Sequence, residues 1–483
     1  MAVVRKPEPG SPEWWVARLS KKLADRRKRY RMLECYASGD HPLPEGDERA
    51  RDLFRRFQRK ARTNYCGLVV SSVRERLTIT GFRSGGAQAP ALDDEMWRIF
   101  QANHLDADSN LIHDATLTYS DSYVLVSPNP DDEKTPIITA ESPQQMILEP
   151  DPVNRRRALA ALKMWLDDVD GVERAVLYLP TTIHYFQRKP RSNAWLETTS
   201  DWVFLDDFAV AEPAAENRLG RVPVVRLINR PRLRDGVVEG RAEFEDAIDI
   251  QDRINLVVLD RLIVSKTQAY RQRWMKGVPT EDEDGNPLDL PFVPGVDLLW
   301  AVDDDPSNVE FGEFSQVDLT PILKAAEDDV RAFVTVTGLP PHYVAGDLVN
   351  ASADALAAAE ARLNGRTRDH QTDFSDAWEQ VLELAAAWAG IDLPADTEVV
   401  WADPERKTDA QLADAAVKKD QAGVPWEQRM EDLHYSPQQI KRMRGQRVED
   451  AMLTMMSAPQ SPAAGPLTPA FQQPGAPVVT GGA

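Results

Sequence analysis

The sequence predicts an α+β protein in which long helices flank a region of short antiparallel strands. Apolar residues recur at helical spacing before residue 120 and again after residue 240. Between them, residues 122–230 contain short runs of β-favouring residues separated by turn-forming residues. The chain has 483 residues, 42% of them hydrophobic, so it can bury one or more sizeable cores. This segregated pattern is typical of an α+β fold.

Helical spacing dominates the first 120 residues. Ser11 and Pro12 provide an N-cap and a first helical residue, while Gly39 and Pro42 end that helix. A short strand, Thr78–Phe82, separates the early helices from the later ones. The predicted helices span residues 12–36, 48–60, 64–77, 91–103 and 106–119.

Residues 122–230 differ in character from the helical segments. Runs of β-branched and aromatic residues alternate with Pro, Asn, Asp and Gly, which predicts an antiparallel sheet. The predicted strands are Tyr123–Ser127, Ile137–Ala140, Leu159–Leu166, Val172–Leu179, Ile183–Arg188, Trp202–Leu205 and Val222–Asn229.

After residue 240 the pattern returns to helix. Apolar residues from Ile250 to Leu262 fall on one face of a helix that runs to about residue 270. Residues 277–318 contain several Pro and Gly and two acidic runs, which indicates a small module of strands and turns. The next helix, 319–337, is the clearest in the sequence, and Gly338 ends it.

A second long helix is predicted from Ser352 to Trp388, with a kink expected at Gly365. The pattern alone leaves open whether the preceding Gly338–Asp354 is a plain connection or a moving part. Shorter helices are expected within 408–455. Residues 457–483 are rich in Pro, Ala, Gly and Gln, so a disordered tail is expected.

Charge is distributed unevenly along the chain. The formal net charge is −20, yet residues 1–62 hold 17 basic and 9 acidic side chains, a net of +8, which leaves −28 for the rest. So acidic a chain does not favour tight binding of nucleic acid, which requires Lys and Arg. The basic start is either a solvated helical face or a patch that meets an acidic neighbour. The residues of this patch are Lys21, Lys22, Arg26, Arg27, Lys28 and Arg29.

Motifs that would support catalysis or cofactor binding are missing from the sequence. No phosphate-binding loop, dinucleotide fingerprint, nucleophile elbow or zinc-protease motif occurs, and the seven histidines are scattered. The acidic run Glu281–Asp284 does not fit a calcium loop, because Thr280 and Pro291 would occupy ligand positions. Cys35 and Cys66 are expected to be packing residues in a reducing compartment. We therefore predict no enzyme, no metal and no cofactor.

Neither a signal peptide nor a membrane-spanning segment is expected. The first residues contain no apolar stretch, and no run of about 18 apolar residues occurs anywhere in the sequence.

The N-terminal stretch from Tyr30 through Tyr36-Ala-Ser-Gly-Asp-His-Pro-Leu43 resembles the opening signature of portal proteins from siphophage-type tailed bacteriophages. Asn64–Leu77 followed by Thr78–Phe82 is similar to the next element of that family. The order of the later helices and modules matches as well, so the resemblance covers roughly residues 15–455.

The resemblance implies a portal fold with a mixed wing domain, a two-helix stem, a small α/β clip, a long kinked helix and a helical crown. The implied segments are 1–240 for the wing, 241–275 for the first stem helix, 276–318 for the clip, 319–338 for the second stem helix, 339–354 for the tunnel loop, 355–400 for the kinked helix and wing return, 401–456 for the crown and 457–483 for the tail.

The resemblance also implies a function. Portal subunits form a ring, here expected to be a dodecamer, at one capsid vertex of the virion, and double-stranded DNA passes through it without sequence specificity during packaging and ejection. The implied partners are the terminase large subunit, a head-tail connector or adaptor, and the major capsid and scaffolding proteins, with assembly in the host cytoplasm and no membrane. The implied DNA-tunnel loop is Gly346, Asp347, Leu348, Val349, Asn350 and Ala351, and the terminase-facing clip residues are Glu281, Asp282, Glu283 and Asp284.

Two other classes of function stay open at this point. Another virion component, such as a minor capsid protein or an adaptor, is one, although adaptors are usually far shorter. A metal-dependent nuclease is the other, although the carboxylates of the sequence form no clustered motif.

Overall fold

A computed structural model describes most of the chain. The described residues are 7–43, 57–85, 89–189, 209–269, 273–276, 310–313, 318–345, 353–405, 409–433, 435 and 437–457. They form two compact units, Met1–Gln411 and Leu412–Ala483, which we describe separately. The α+β class predicted from the sequence is confirmed.

The first unit opens with a long helix whose ends follow from its sequence. α1 spans Pro12–Ser38, and the Ser11 hydroxyl accepts a hydrogen bond from the backbone N–H of Trp14 (3.2 Å). Gly39 ends the helix with φ +78°, a left-handed conformation that glycine adopts without strain. The other early helices are α2 (Tyr65–Arg74), α3 (Ala89–Ala102) and α4 (Leu105–Tyr119), and residues 57–61 are also helical.

The strands before residue 240 pair antiparallel with their neighbours. The strands are β1 (Ile79–Arg83), β2 (Asp121–Ser127), β3 (Ile137–Glu141), β4 (Met146–Pro150), β5 (Ala158–Asp167), β6 (Val172–Tyr178), β7 (Thr182–Arg188), β8 (Ala209–Glu216), β9 (Val224–Ile228), β10 (Arg232–Arg234) and β11 (Val237–Glu239). β4 to β8 form a five-stranded meander in chain order, while β2 lies between β3 and β9 in a three-stranded sheet. β10 and β11 form an exposed hairpin.

The predicted strands that fall on described residues are confirmed to within two residues at each end. The sequence did not indicate β4, β8, β10 or β11. The expected strand Trp202–Leu205 lies outside the described residues, as does most of the expected helix 48–60.

The remaining helices of the first unit are α5 (Ile248–Ala269), α6 (Thr320–Thr337), the single turn α7 (His342–Ala345) and α8 (Ala353–Ala389). A two-stranded ribbon of β12 (Arg273–Lys276) and β13 (Glu310–Glu313) lies between α5 and α6 in the chain. β14 (Glu398–Trp401) returns to pair with β1. Gly338 ends α6 with φ +70°, as the sequence predicted.

Buried apolar side chains connect these elements. The largest cluster joins α2, α3, α4 and α8 around Phe82, Phe100, Phe374 and Trp378, all of them at most 1% exposed. A second cluster packs one face of α1 against the five-stranded sheet. Because burying one such side chain stabilises the fold by roughly 1.5–3 kcal/mol, these clusters fix α1 and α8 to the sheets.

The described residues of the second unit are mainly helical. α9 (Asp409–Gln421) leads into it, followed by α10 (Trp426–Asp432) and α11 (Pro437–Ser457). Lys419 and Asp432 form an ion pair (2.6 Å), and the guanidinium of Arg447 lies 5.0 Å from the ring centre of Trp426. The helices expected within 408–455 are confirmed.

Candidate functional site

The paired helices α5 and α6 join the sheet region at one buried polar cluster. The two helices pack against each other, and Arg253 and Asp329 form an ion pair between them (2.9 Å). Phe333 and Ile254 lie in the main core, so the two helices are anchored to the body of the first unit. This junction is where the chain enters α5 and leaves α6.

Glu243 is the centre of that cluster. Its side chain is fully buried, and it forms an ion pair with Arg366 of α8. His370 Nε2 lies 3.1 Å from Glu243 Oε1, and the side-chain amide of Asn229 donates to Oε2 (2.9 Å). Arg366 also donates to the backbone carbonyl of Thr337, the last residue of α6. One carboxylate and one guanidinium therefore connect both paired helices to α8.

The electrostatics of this cluster keep Glu243 charged. Burial alone raises the pKa of a carboxyl group, but the nearby His370 and Arg366 outweigh burial and lower the pKa of Glu243 to about 2. A charge buried in this way is stable only while its partners stay in place. The cluster therefore holds the start of α5, the end of α6 and α8 in one arrangement at the junction.

A second cluster holds both flanks of the segment that follows α6. Arg76, in the turn that follows α2, has a buried side chain, and its Nη2 donates to the Tyr343 hydroxyl (2.8 Å) and to Glu360 Oε2 (3.2 Å). The Tyr343 hydroxyl lies 3.3 Å from Glu360 Oε1, and His342 Nε2 lies 3.7 Å from the same oxygen. Tyr343 precedes residues 346–352 and Glu360 follows them, so Arg76 binds both sides of that segment.

The N-terminal signature docks against α5 and β2. Tyr30 donates to the buried carboxylate of Asp121 (2.6 Å), and Tyr36 donates to Asp252 of α5 (2.8 Å). The His41 ring stacks on Tyr36 with centroids 5.2 Å apart, and its Nε2 lies 2.6 Å from Asn255 Nδ2. The three ring side chains of the motif therefore hold α1 against β2 and the first of the paired helices.

The basic patch of α1 divides into inward and outward residues. Lys21 and Lys28 are exposed. The other four bond within the chain: Lys22 pairs with Glu149, Arg26 with Asp121 (3.3 Å), Arg27 donates to the Gln144 carbonyl (2.7 Å) and Arg29 pairs with Glu245 (2.7 Å). Only two of the six side chains are therefore available, within the described structure, to a patch that meets a neighbour.

Two predicted sites lie outside the described residues. These are the tunnel-loop residues Gly346–Ala351 and the clip residues Glu281–Asp284. Within the described ranges, no group of His, Cys, Asp and Glu is arranged to hold a metal ion. No helix in the same ranges is long and apolar enough to cross a membrane.

Sequence reasoning did not single out Arg76 or Glu243 as site residues. Arg76 lies 284 residues from its partner Glu360, and Glu243 lies 127 residues from His370, so no local spacing reveals either pair. Arg76 directly follows the charged residues Arg74 and Glu75, so its own charge gives no distinctive signal in the sequence.

Comparison with known proteins identifies the family. Residues 17–433 match the family described as "Phage portal protein, SPP1 Gp6-like". The chain belongs to this phage portal protein family.

Two portal proteins of mycobacteriophages are similar over most of their length. The portal protein of Mycobacterium phage D29 is 31% identical over 415 residues, which cover 81% of this chain and 80% of the relative. That of Mycobacterium phage L5 is 30% identical over 438 residues, covering 86% of this chain and 85% of the relative.

Among solved structures, the chain is similar to two from gene transfer agent (GTA) particles. One is a chain of the "Virion of native gene transfer agent (GTA) particle", with a TM-score of 0.40, 12% identity, and coverage of 83% of this chain and 93% of that one. The other is from the "Neck of empty GTA particle computed with C6 symmetry", with a TM-score of 0.37, 11% identity, and coverage of 88% and 89%.

Family membership settles the class of function. The protein is a structural portal subunit of a bacteriophage virion and not an enzyme, as the sequence resemblance implied. The alternatives of a minor capsid protein, an adaptor or a metal-dependent nuclease are thereby set aside.

Proposed function

We propose that this portal protein forms a ring of twelve subunits at one capsid vertex, and that double-stranded DNA passes through the ring during packaging and ejection. The observation that carries the proposal is the family match over residues 17–433, together with the anchored helix pair α5 and α6. Twelve copies at −20 each sum to −240. An acidic channel wall would repel phosphates, so DNA would slide through rather than bind.

In this proposal α5 and α6 are the two stem helices that line the channel, and the cluster around Glu243 is where the stem meets the wing. The buried ion pair of Glu243 and Arg366 supports a rigid junction. The proposed segments are the wing at 1–240, the stem helices at 241–275 and 319–338, the clip at 276–318, the tunnel loop at 339–354, the kinked helix at 355–400, the crown at 401–456 and the tail at 457–483.

The segment Gly346–Ala351 is proposed to face the channel as a tunnel loop. Its composition includes Asp347 and Asn350 but no Lys or Arg, so it would contact DNA sterically rather than grip phosphates. The contacts of Arg76 with Tyr343 and Glu360 support this assignment, because they fix both flanks of the segment to the body of the subunit.

The partners of the ring follow from the same proposal. The acidic residues Glu281–Asp284 are proposed to face the terminase large subunit, which would supply the energy for packaging since this chain has no phosphate-binding loop. A head-tail connector or adaptor would bind after packaging, and the major capsid and scaffolding proteins would surround the ring. Assembly would take place in the host cytoplasm.

Imaging and mass measurement of the purified full-length protein test the proposal. Negative-stain electron microscopy should show rings with a central hole. Native mass measurement should give about twelve times the subunit mass of 54.1 kDa. A monodisperse monomer at micromolar concentration, without rings under any salt condition, would overturn it.

A further inference from the structure

A cleft of about 830 Å³ lies at the β9 side of the three-stranded sheet. Its walls come from the start of α1, the turn between β4 and β5, β9, the β10–β11 hairpin and one side of α8. Trp14, Trp15 and Val237 contribute apolar surface to these walls. The cleft is open to solvent and is not used by the contacts that hold the junction of α5 and α6.

The rim of the cleft carries two exposed arginines. Arg155 and Arg157 are exposed, and neither side chain forms a hydrogen bond or ion pair with any residue in the described ranges. Arg156 between them forms an ion pair with Asp376 of α8 (2.6 Å). The turn is also closed by backbone hydrogen bonds, including that from Arg157 N to Asn154 O (2.8 Å). A fixed turn therefore presents two free guanidinium groups.

The chemistry of the cleft favours a protein partner with carboxylates. Three further arginines line the cleft, and each already pairs with a carboxylate of the same subunit: Arg18 with Glu149, Arg156 with Asp376 and Arg226 with Asp121. They are therefore not available to bind the continuous phosphates of a nucleic acid. Apolar walls with two free arginines at the rim instead match a surface that offers a few carboxylates among neutral residues. A second copy of this chain offers an excess of carboxylates, since residues 63–483 carry a net charge of −28.

One acidic turn of the chain meets these requirements. Asp131 and Glu133, between β2 and β3, are exposed, and their side chains have no partner among the residues described. The turn is rigid, because Asp132 accepts from Lys134 N (3.0 Å) and from the Thr135 hydroxyl (2.6 Å). It therefore presents two carboxylates in the same manner as the other turn presents two guanidinium groups.

The two turns belong to different connections of the fold. The acidic turn joins the end of β2 to the start of β3 in the three-stranded sheet, and the basic turn joins β4 to β5 in the five-stranded sheet. A ring requires a heterologous interface, in which two different surfaces of each subunit complement each other. We propose that, in the ring inferred above, Asp131 and Glu133 of one subunit bind at the cleft of the next subunit through Arg155 and Arg157.

Charge reversal tests the pairing. Arg155→Glu/Arg157→Glu and Asp131→Arg/Glu133→Arg should each raise the protein concentration needed for half-maximal ring formation at least tenfold, because like charges would then face each other. Combining all four substitutions in one chain should restore ring formation to within about threefold of the unmodified protein. Mass photometry over a concentration series, with negative-stain images, measures this directly.

A matched control separates specific pairing from net charge. Lys189→Glu/Arg218→Glu changes the net charge by the same amount at exposed residues that have no described side-chain partner, and it should form rings like the unmodified protein. Each variant is first compared with the unmodified protein by circular dichroism and thermal unfolding. If Arg155→Glu/Arg157→Glu is misfolded, Arg155→Gln/Arg157→Gln replaces it, and a smaller rise in the concentration needed for half-maximal ring formation is expected.

The outcomes distinguish this inference from the proposed function. If Arg155→Glu/Arg157→Glu forms rings at the same protein concentration as the unmodified protein, the proposed pairing is wrong, while the proposal of a ring is unaffected. Failure of the combined variant to recover, with both double variants defective, would overturn the assignment of the acidic turn as the partner. An unmodified protein that never forms rings would overturn the proposed function.

Discussion

Glu243 carries a negative charge in a place from which water is excluded. Its lowered pKa of about 2 shows that His370 and Arg366 more than compensate for burial. Removing one member of a buried pair leaves the other charge uncompensated, which is costlier than losing the attraction itself. The residue thus stabilises the junction only as part of the complete cluster.

Glu243→Gln should therefore lower the free energy of unfolding of the first unit by about 3 kcal/mol, because Arg366 would lose its counter-charge. Chemical denaturation followed by tryptophan fluorescence measures the change. Glu239→Gln, on the exposed hairpin nearby, serves as the control and should change stability by less than about 0.5 kcal/mol. Equal denaturation midpoints for the two variants would contradict the role assigned to Glu243.

His113 should make the stability of the folded protein decrease as the pH falls. Burial lowers the pKa of His113 to about 3, and Trp378 Nε1 donates to its Nε2 (3.0 Å), so the ring is held neutral. In the unfolded chain the same ring takes up a proton near pH 6.5. Its contribution to stability is therefore complete above about pH 6.5 and is lost as the pH falls from there toward 3.

Lowering the pH from 8 to 5 should therefore lower the free energy of unfolding by about 2 kcal/mol through this single residue. His113→Gln keeps an acceptor for Trp378 without titrating, so its stability should fall by about 2 kcal/mol less than that of the unmodified protein over the same range. Denaturation midpoints at the two pH values give the comparison. Parallel pH profiles would show that His113 does not titrate on unfolding as inferred.

At the scale of elements, the sequence indicates helices better than it indicates the weaker strands. α1 and α6 carry periodic apolar residues and end at a glycine, and the sequence predicts both within two residues of their ends. β8 reads Ala-Val-Ala-Glu-Pro-Ala-Ala-Glu, which has low β propensity, and it is a strand because β7 supplies a pairing edge. Such tertiary pairing cannot be read from local composition.

The candidate site shows the same limit. The signature around Tyr36 and His41 could be found in the sequence, but its docking onto Asp252 and Asn255 of α5 depends on the fold. The six basic residues of the patch lie close together in the sequence, whereas helical spacing turns Arg26 and its inward neighbours toward the sheet. Spacing gives the faces of a helix, and only the packing decides which face is covered.

Arg76 offers a test of how the flanks of residues 346–352 are held. Arg76→Lys keeps the charge but cannot bind Tyr343 and Glu360 together with a planar guanidinium, so both flanks should open more often. Hydrogen exchange at His342–Ala345 and at the first turns of α8 should accelerate about tenfold.

The control for this variant is Arg74→Lys, at the last residue of α2 and two residues before Arg76. Arg74 pairs with Asp114 at the surface, with both side chains well exposed, so that change should leave exchange at the two flanks unaltered. Similar exchange in the Arg76 and Arg74 variants would show that the cluster does not hold the segment.

Deletion of Asp347–Ala351 tests the proposed tunnel loop. Because the flanks are anchored by Arg76, the deletion should leave ring formation intact while lowering the yield of DNA-filled heads at least tenfold in a packaging assay. Replacement of the same five residues by a Gly/Ser segment of equal length distinguishes loop length from loop chemistry. Full packaging by the deletion variant would refute the loop assignment.

At the scale of the whole molecule, charge is divided between a basic start and an acidic remainder, +8 against −28. Much of the basic charge of α1 neutralises acidic groups of the same subunit, at Glu149, Asp121 and Glu245. The remaining acidic excess is therefore what neighbouring subunits and DNA would meet. The ring would have to offset this repulsion through a few specific interfaces.

The exposed cations of α1 provide the last test at this scale. If the patch meets an acidic neighbour, Lys21→Glu/Lys28→Glu should fold normally, because neither side chain is buried, and should lower incorporation of the portal into capsids at least tenfold. Arg26→Glu instead places a carboxylate beside the buried Asp121 and should destabilise the subunit itself by several kcal/mol. Capsid incorporation is measured by immunoblot of purified heads and stability by chemical denaturation. Normal heads from the double-lysine variant would mean that this face of α1 is simply solvated.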